Sequence, residues 1–289
     1  MKQLAFVKRS NGSHWVGDGF PVRNIFTYQD LGEEISPFLL MDYAGPAHFE
    51  PSIRRRGVGA HPHRGFETVT IVYEGGVAHR DSAGGGGSIG PGDVQWMTAG
   101  SGVLHEEFHS ADFARSGGEF EMIQLWVNLP ARHKMTAPAY QAITDEQTPR
   151  VTLPDDVGTM RLIAGEYAGI AASTHTFTPM NVWDMRLQAG GVLSFDFPAG
   201  DTVALFVLRG ALSICSHTVR AAELAVMERE GSRLQFEVIE DAVVLLLSGR
   251  PLGEPVVGHG PFVMNSQQEI ERAIRDFSAV RFNTAMLSG

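Results

Sequence analysis

The stretch "HPHRGFETVTIVYEGG", His61 to Gly76, places two histidines one residue apart and runs on into an alternating apolar segment that ends at a Gly-Gly turn. Successive side chains of a β-strand point to opposite faces, so residues two apart share a face. His61 and His63 are therefore expected on one side, in a row that continues through Gly65 and Glu67. Such a row suits a strand that enters a barrel interior from a polar mouth.

Short apolar runs, separated by Gly, Pro and Asp, recur from residue 3 to about 130 and again from about 160 to 250. This spacing predicts two all-β units, and the proline-rich segment 128–156 between them is expected to be a crossover. A helix is predicted over about 266–277 because Ser266 and Glu269 have capping-box spacing. The same segment carries an apolar stripe at helical spacing, formed by Ile270, Ala273, Ile274 and Phe277.

The two β units can be matched to each other through their turns. Aligning "VYEGGVAHRD" with "VLRGALSICS" shifts the numbering by 134 (210 minus 76), and the two histidines then fall on phenylalanines: His61 on Phe195 and His63 on Phe197. Aligning "SGVLHEE" with "GSRLQFE" gives a shift of 130: His105 falls on Gln235 and Glu107 on Glu237. If the halves are copies of one barrel, the second half is expected to keep the scaffold with Phe and Gln in place of histidine.

A second polar pair lies in "PGDVQWMTAGSGVLHEEF", where His105 and Glu107 share a face and Glu106 points away, toward solvent or an interface. Three imidazoles and one carboxylate suit a first-row divalent ion, and four such ligands on an octahedral metal leave two positions open. Glu67 shares the parity of the first pair, so it is a candidate either for the fourth ligand or for an outer partner that orients an imidazole. His79 and His109 are expected to be ordinary polar residues near the barrel rim.

Composition narrows the possible partners and the compartment. A formal net charge of -10 argues against direct docking onto nucleic acid or an anionic membrane surface, and the run Arg54–Arg56 is expected to be solvated surface. Cys215 is the single cysteine, expected as a buried thiol, so no disulfide is possible within the chain. The first residues do not form a signal peptide and no segment is apolar enough to span a membrane, so a cytoplasmic location is expected.

The pattern Gly-(x)3-His-Pro-His-(x)3-Glu from Gly57 to Glu67, followed by Pro-Gly-Asp and a further histidine, resembles the two motifs of the cupin superfamily. More specifically, "HPHRGFETVT", "PGDVQWMTAGSGVLHEE", "IQLWVNLP" and "GPFVMN" resemble the pirin family over nearly the whole chain. The resemblance implies an all-β fold of two cupin barrels (double-stranded β-helix, or jelly-roll) in tandem with a C-terminal helix. A metal-binding barrel is then expected over residues 1–135, and a barrel without the metal site over 136–289.

The resemblance also implies the ligand set His61, His63, His105 and Glu107, with Glu67 left as an outer partner. The metal implied is one divalent ion, most often Fe²⁺, although Mn, Co, Ni, Cu or Zn fit cupin sites. Of two implied activities, quercetin 2,3-dioxygenase chemistry is favoured: flavonol and O₂ are the substrates, and Glu107 takes the proton of the flavonol hydroxyl. The alternative is an iron-dependent regulator that binds a transcription factor or a metabolic enzyme. A monomer is expected, and any further partner is a protein.

Overall fold

The computed structural model describes residues 1–10 and 12–279. The chain divides into two compact units, each assembled from three segments. We call Gly12–Tyr28, Phe38–Asp145 and Gly253–Gly289 the N-terminal unit; Met1–Asn11, Gln29–Pro37 and Glu146–Leu252 form the C-terminal unit. The expected all-β fold with a C-terminal helix is confirmed. The domain boundary between residues 135 and 136 stays a prediction.

The strands in chain order are β1 (Leu4–Arg9), β2 (His14–Val16), β3 (Phe20–Thr27), β4 (Phe38–Phe49), β5 (Gly57–His63), β6 (Phe66–Glu74), β7 (Val77–Asp81), β8 (Gly86–Ile89), β9 (Val94–Thr98), β10 (Val103–His109), β11 (Gly118–Asn128), β12 (Ala139–Ile143), β13 (Arg150–Thr152), β14 (Gly158–Ala164), β15 (Glu166–Tyr167), β16 (Ile170–Ala171), β17 (Met180–Leu187), β18 (Val192–Asp196), β19 (Thr202–Ile214), β20 (His217–Arg220), β21 (Glu223–Met227), β22 (Arg233–Gly249), β23 (Val257–His259) and β24 (Phe262–Met264). The α-helices are α1 (Ala111–Ser116) and α2 (Gln267–Ser278), and short 3-10 turns cover Gly32–Ile35, Ala131–His133 and Pro154–Asp156.

The N-terminal unit contains a seven-stranded sheet, in the order β12-β9-β6-β11-β4-β3-β2, and a four-stranded sheet, in the order β5-β10-β7-β8. The C-terminal unit is built on a nine-stranded sheet along the path β1-β21-β19-β22-β17-β14-β13, to which β18 and β20 add at β22 and β19. Alternating apolar residues of these strands fill one large core in the C-terminal unit, among them Met160, Leu205 and Leu246. Burial of that apolar area is the main stabilising contribution to the unit.

The row of residues expected to continue from His61 into the apolar run is interrupted at Arg64 and Gly65. β5 ends at His63 in the four-stranded sheet, and β6 begins at Phe66 in the seven-stranded sheet. Gly65 makes the turn with φ +90°, and a Cβ there would collide with the carbonyl oxygen of Val263. The strand parity therefore does not carry from His63 to Glu67, because the chain changes sheets between them.

Helix α2 packs against one face of the four-stranded sheet, at strand β10. The Ser266 hydroxyl accepts a hydrogen bond from the Glu269 N–H, as the capping-box spacing predicted. Ile270 and Ala273 of the predicted stripe are buried in a cluster with Leu104 of β10. Since Leu104 points to the helix, its neighbour on the strand points to the opposite face.

The segment 128–156, expected to be a crossover, contains the change from one unit to the other, between Asp145 and Glu146, and it also forms β12, paired with β9, and β13, paired with β14. One expectation about the second half of the chain needs correction. Cys215 is exposed instead of buried. It sits with Ser216 at the turn between β19 and β20, where both residues have positive φ, and a tight hairpin turn projects from the sheet. Neither described helix is long and apolar enough to cross a bilayer.

Candidate metal centre

Strand β10 lies between β5 and β7 and brings both polar pairs together. His105 on β10 is directly opposite His61 on β5 and opposite Asp81 on β7. Glu107, two residues further along β10, is opposite His79 on β7. Residues directly opposite each other on neighbouring strands point to the same face, so the three strands present their polar side chains to one place.

The imidazoles of His61, His63 and His105 form a tight cluster. Ring centroids are 4.2 Å apart for His61 and His105, 4.7 Å for His63 and His105, and 4.9 Å for His61 and His63. One ligand atom from each ring lies within 4.8 Å of the other two. His105 is fully buried, His63 is 4% exposed, and His61 closes the cluster toward solvent.

The protonation of these rings leaves nitrogen lone pairs available. Burial, and then the neighbouring imidazoles, lower the pKa of His63 and the pKa of His105 well below the usual 6.5. His61 Nδ1 lies 2.9 Å from the Gly59 carbonyl oxygen, which can only accept, so Nδ1 carries the proton and Nε2 is free. His63 Nδ1 and His105 Nε2 are buried and make no hydrogen bond to the described residues. Buried polar atoms are nearly always satisfied, so unpartnered nitrogens in a three-imidazole cluster fit a bound cation.

Glu107 is buried and held by neutral groups of the seven-stranded sheet. Its Oε1 accepts from the Gln95 amide at 3.4 Å, and its Oε2 accepts from the Gln124 amide at 3.2 Å. The Thr70 hydroxyl has one proton and lies 2.6 Å from Gln124 Oε1 and 3.2 Å from Glu107 Oε1, so Gln124 is the nearer acceptor. The ligand atom of Glu107 groups with those of His79 and His105, within 4.8 Å, and not with the three-imidazole cluster. The role of Glu107 as a fourth ligand beside His61, His63 and His105 stays a prediction.

His79 is buried, not at the rim as expected, and it links Asp81 to His105. Its Nε2 lies 3.2 Å from Asp81 Oδ2, and its Nδ1 lies 3.3 Å from His105 Nδ1. Burial opposes ionisation of Asp81, but hydrogen bonds from His79 and from two backbone N–H groups outweigh it, so the pKa of Asp81 is lowered. An ionised carboxylate only accepts, so the proton of His79 is on Nε2 and its Nδ1 accepts from His105. This leaves the lone pair of His105 on Nε2, the atom that has no other partner in the described chain.

Sequence reasoning missed the pair His79 and Asp81. The available signal was their spacing in "VAHRD", since residues two apart on a strand share a face. His109 was also expected at the rim and is buried. Its Nε2 donates to the Gly19 carbonyl oxygen at 2.8 Å, and its ring stacks on Phe120 with centroids 5.1 Å apart.

Glu67 is buried, as its expected role near the site requires, but its hydrogen bond is to Thr98 and not to a histidine. Its Oε1 accepts from the Thr98 hydroxyl at 2.7 Å, and its Oε2 makes no hydrogen bond within the described chain. Burial raises the pKa of Glu67 to about 7. A contact in which Glu67 orients an imidazole stays a prediction.

An aromatic wall adjoins the imidazole cluster. Phe66, Trp96 and Met97, which lie near the polar pairs in the sequence and could line a site for an aromatic substrate or pack in the core, are all fully buried, as core packing requires. Trp126, which the sequence did not single out, is half-buried, lies 5.3 Å from the His63 ring and stacks on Phe66 with centroids 4.3 Å apart. A partly exposed aromatic ring beside the cluster can contact a planar substrate.

The corresponding positions of the C-terminal unit carry apolar side chains. Phe195 and Phe197, the expected counterparts of His61 and His63, are 2% and 4% exposed. Phe195 is directly opposite Leu234 on β22, whereas Gln235, expected to replace His105, is opposite Ser194 and exposed. The expected replacement by Phe and Gln is therefore wrong in its second part, because the turn-based match misplaced β22 by one residue.

Two family models match this chain, and each covers a different part of it. The model of the family described as Pirin matches residues 19–127, and the model of the Pirin C-terminal cupin domain matches residues 182–283. A Pseudomonas aeruginosa protein, provisionally named a quercetin 2,3-dioxygenase, is 55% identical over 98% of this chain and 99% of its own length.

Solved structures agree with the sequence matches. A crystal structure of a quercetin 2,3-dioxygenase from Acinetobacter baumannii superposes with a TM-score of 0.95, at 51% identity over 98% of both chains. A bacterial pirin from Escherichia coli, solved in complex with nickel(II), shares the fold with a TM-score of 0.66 at 19% identity, over 85% of this chain and 99% of that one.

Proposed function

The chain belongs to the pirin family, and we propose that it is a mononuclear metal enzyme that opens flavonols of the quercetin type with dioxygen and releases carbon monoxide. The observation that carries the proposal is the cluster of His61, His63 and His105, with unpartnered buried nitrogens and the partly exposed Trp126 ring beside it. The names of the two most similar proteins reported above point to the same reaction.

The proposed ligands are His61, His63, His105 and Glu107, and the proposed metal is Fe²⁺, with Mn, Co, Ni, Cu and Zn as other ions that this donor set accepts. A nickel complex of the Escherichia coli pirin is in keeping with this breadth. When bound, a divalent ion supplies Lewis acidity, which lowers the pKa of a coordinated hydroxyl such as the flavonol 3-hydroxyl.

Glu107 is the residue that we assign to accept the flavonol proton. A carboxylate has about four acceptor positions, and the hydrogen bonds from the Gln95 and Gln124 amides leave room for one more on Oε2, even with the Thr70 hydroxyl beside Oε1. These groups are neutral, so they fix the carboxylate in place without neutralising its charge. A positioned general base typically contributes about 10²- to 10⁴-fold to a rate.

Trp126 is assigned to hold the substrate rings. It is anchored by its stacking on Phe66 and has an exposed portion next to His63. Stacking there would place the planar flavonol beside the cluster and would keep water from that side of the reacting ring. Substitution of Trp126 by Leu is then expected to raise KM for the flavonol more than it lowers kcat.

The proposal is tested by metal analysis of the purified protein, combined with oxygen uptake and the bleaching of flavonol absorbance. Glu107→Gln should lower turnover roughly 10²- to 10⁴-fold while most of the metal is retained. Glu106→Gln is the matched control, because Glu106 neighbours Glu107 but faces away and pairs with Arg55 and Arg80. Absence of turnover with each of Fe, Mn, Co, Ni and Cu would refute the enzymatic assignment. Full turnover in Glu107→Gln would refute the role of that residue.

A further inference from the structure

A row of polar side chains crosses the seven-stranded sheet on the face that carries Gln124. On β11, Gln124 lies directly opposite Thr70 of β6 on one side and Asp42 of β4 on the other. Asn24 of β3 lies opposite Asp42 and extends the row by one strand. Residues directly opposite each other on neighbouring strands point to the same face. Because the Gln124 amide donates to Glu107 Oε2 at 3.2 Å, this face looks toward the carboxylate assigned above as the general base.

The row passes from the closed interior of the N-terminal unit to a side that solvent reaches. Thr70 is fully buried, whereas Gln124, Asp42 and Asn24 are half-buried. Trp126 lies two residues from Gln124 on β11, so it shares this face, and it is half-buried too. Asp42 is then the diagonal neighbour of Trp126 across the strand pair, at about 7 Å, which is within reach of one ligand. An aromatic ring and a carboxylate therefore lie side by side where the interior opens.

Asp42 is held in position and keeps an acceptor oxygen free. The Asn24 amide donates to its Oδ1 at 2.8 Å. Its Oδ2 makes no hydrogen bond or ion pair within residues 1–10 and 12–279, and it is not sealed from solvent. Burial raises the pKa of Asp42, and the Asn24 hydrogen bond and the charge of His14 oppose that rise only in part. Hydroxyl groups of a ligand that donate to Oδ2 would stabilise the ionised carboxylate.

We propose that Asp42 is a specificity-determining residue, whose carboxylate accepts hydrogen bonds from the hydroxyl groups on the outer phenyl ring of the flavonol. The inference rests on the function proposed above, in which the flavonol has its 3-hydroxyl at Glu107 and its rings along Trp126. Asp42 lies one strand, about 4.8 Å, beyond Gln124 in the sheet. A planar substrate that starts at Glu107 and lies along the row therefore ends near Asp42. A role limited to pairing with Asn24 would need Oδ1 alone and would give no preference among flavonols.

The test compares three flavonols that differ only in the hydroxyl groups of the outer ring: quercetin with two, kaempferol with one and galangin with none. On the metal-loaded full chain, kcat/KM is measured by oxygen uptake, and Kd is measured without oxygen by the quenching of tryptophan fluorescence. We expect the unchanged chain to bind quercetin at least roughly 10-fold more tightly than galangin, with kaempferol between them, and kcat/KM to follow the same order.

The Kd values separate this proposal from the proposed reaction. Equal Kd values for quercetin and galangin overturn the role of Asp42, whether or not the protein oxidises either compound. Absence of turnover with all three flavonols, together with the expected order of Kd values, refutes the oxygenase reaction and supports recognition of the outer ring.

Asp42→Asn isolates the contribution of the carboxylate. The carbonyl oxygen of the introduced side chain still accepts from Asn24, and an NH₂ group replaces Oδ2, so the position is kept and the free acceptor is lost. The Kd for quercetin should rise roughly 10-fold, whereas the Kd for galangin should change less than about 2-fold, which also shows that the site is folded.

Glu119→Gln is the matched control. Glu119 is an exposed carboxylate on β11, opposite His48 and 2.8 Å from its Nδ1, and it lies outside the row. Its substitution should leave the Kd values for quercetin and galangin unchanged. A quercetin Kd in Asp42→Asn equal to that in Glu119→Gln, or an equal loss of affinity for quercetin and galangin in Asp42→Asn, would overturn the assignment.

Discussion

The hydrogen-bond chain from Asp81 through His79 to His105 leads to a prediction about metal affinity. With ionised Asp81 accepting from His79 Nε2 at 3.2 Å, and His79 Nδ1 facing His105 Nδ1 at 3.3 Å, the chain fixes the proton of His105 on Nδ1. The lone pair of His105 Nε2 is then permanently presented to a metal. Asp81→Asn removes the acceptor-only group at the end of the chain, and we expect it to weaken metal binding without displacing any of the proposed ligands.

The expected loss of metal affinity in Asp81→Asn follows from the hydrogen bonds that this substitution leaves intact. Asp81 Oδ1 also accepts from the N–H groups of Ala83 and Gly85, at 2.8 and 2.9 Å, and the side-chain carbonyl oxygen of the introduced asparagine would still accept both. The loss is therefore confined to the hydrogen bond with His79. Removing an outer hydrogen-bond partner of a ligating histidine typically costs about 10- to 100-fold in metal affinity. A loss of that size corresponds to about 1.4 to 2.7 kcal/mol of binding free energy.

The assay is a chelator competition titration that yields the Kd for Zn²⁺ or Co²⁺, paired with urea unfolding of the metal-free protein. Asp93→Asn is the control for the loss of a carboxylate: Asp93 accepts from the Gly90 N–H on Oδ2 at 2.9 Å and from the Asp145 N–H on Oδ1 at 2.8 Å, so the asparagine keeps one of the two bonds, and neither leads to a histidine. His79→Phe, which preserves the aromatic stacking on Tyr140 and removes the acceptor, should repeat the loss. A Kd for Asp81→Asn equal to those of wild type and Asp93→Asn would refute the orienting role, and the unfolding midpoint of Asp81→Asn shows whether a weaker Kd comes with a loss of stability.

Three further predictions concern stability. Burial raises the folded-state pKa of Glu67 from an ordinary 4.5 to about 7, so the folded form holds its proton more tightly than the unfolded form, and the stability this confers is lost as pH rises from 4.5 through 7. The free energy of unfolding of Glu67→Gln should therefore exceed that of wild type by up to about 3 kcal/mol at pH 8 and should equal it at pH 4. Urea unfolding of the metal-free protein at both pH values measures the difference. A difference that does not change with pH would contradict this prediction. Ser266→Ala should destabilise the protein by about 1 kcal/mol through loss of the helix cap, read from the urea midpoint, with an unchanged midpoint as the contrary result. Gly65→Ala should cost more than about 2 kcal/mol, because the positive φ is strained and the new Cβ meets the Val263 carbonyl. Gly84→Ala, with φ +94° but open space around it, separates strain from collision and should cost less.

The local sequence pattern was sufficient to predict β5 and β6 and the shared face of each of the two polar pairs. The alternation within "FETVTIVYE" and the spacing of the histidines depend only on neighbours in the chain, and β6 and β5 form there. The interruption at Gly65 was not predictable in this way. It is held by distant groups: the Arg64 guanidinium donates to Asp276 on α2 at 2.9 Å, and the Lys134 ammonium donates to the Gly65 carbonyl at 2.8 Å.

The role of His79 was hidden for a related reason. Its importance depends on which strand lies beside β10, and pairing between strands is a non-local property that one sequence does not specify. The burial of Cys215 was wrongly predicted for a different reason. An apolar run predicts burial only as far as the next turn, and here the turn is made by non-glycine residues with positive φ, which the sequence does not mark as a turn.

The strand register also differs between the two units. In the N-terminal unit, His61 and Val58 are three residues apart on β5, while their partners His105 and Glu107 are two apart on β10, so β5 carries an extra residue. In the C-terminal unit, Phe195 and Val192 are also three apart, but their partners Leu234 and Glu237 are three apart as well, and the ladder is regular.

The extra residue changes which side chains of β5 face the interior, but His105 and Glu107 are two apart on β10 and share a face in either case. On β22, Leu234 and Phe236 have the same spacing, and both are buried. The inward positions of β22 therefore carry apolar side chains because of their residue types. Replacing Gln235 by His, the change that the sequence match suggests, would put an imidazole on the outer face, because Gln235 is exposed between these two buried residues.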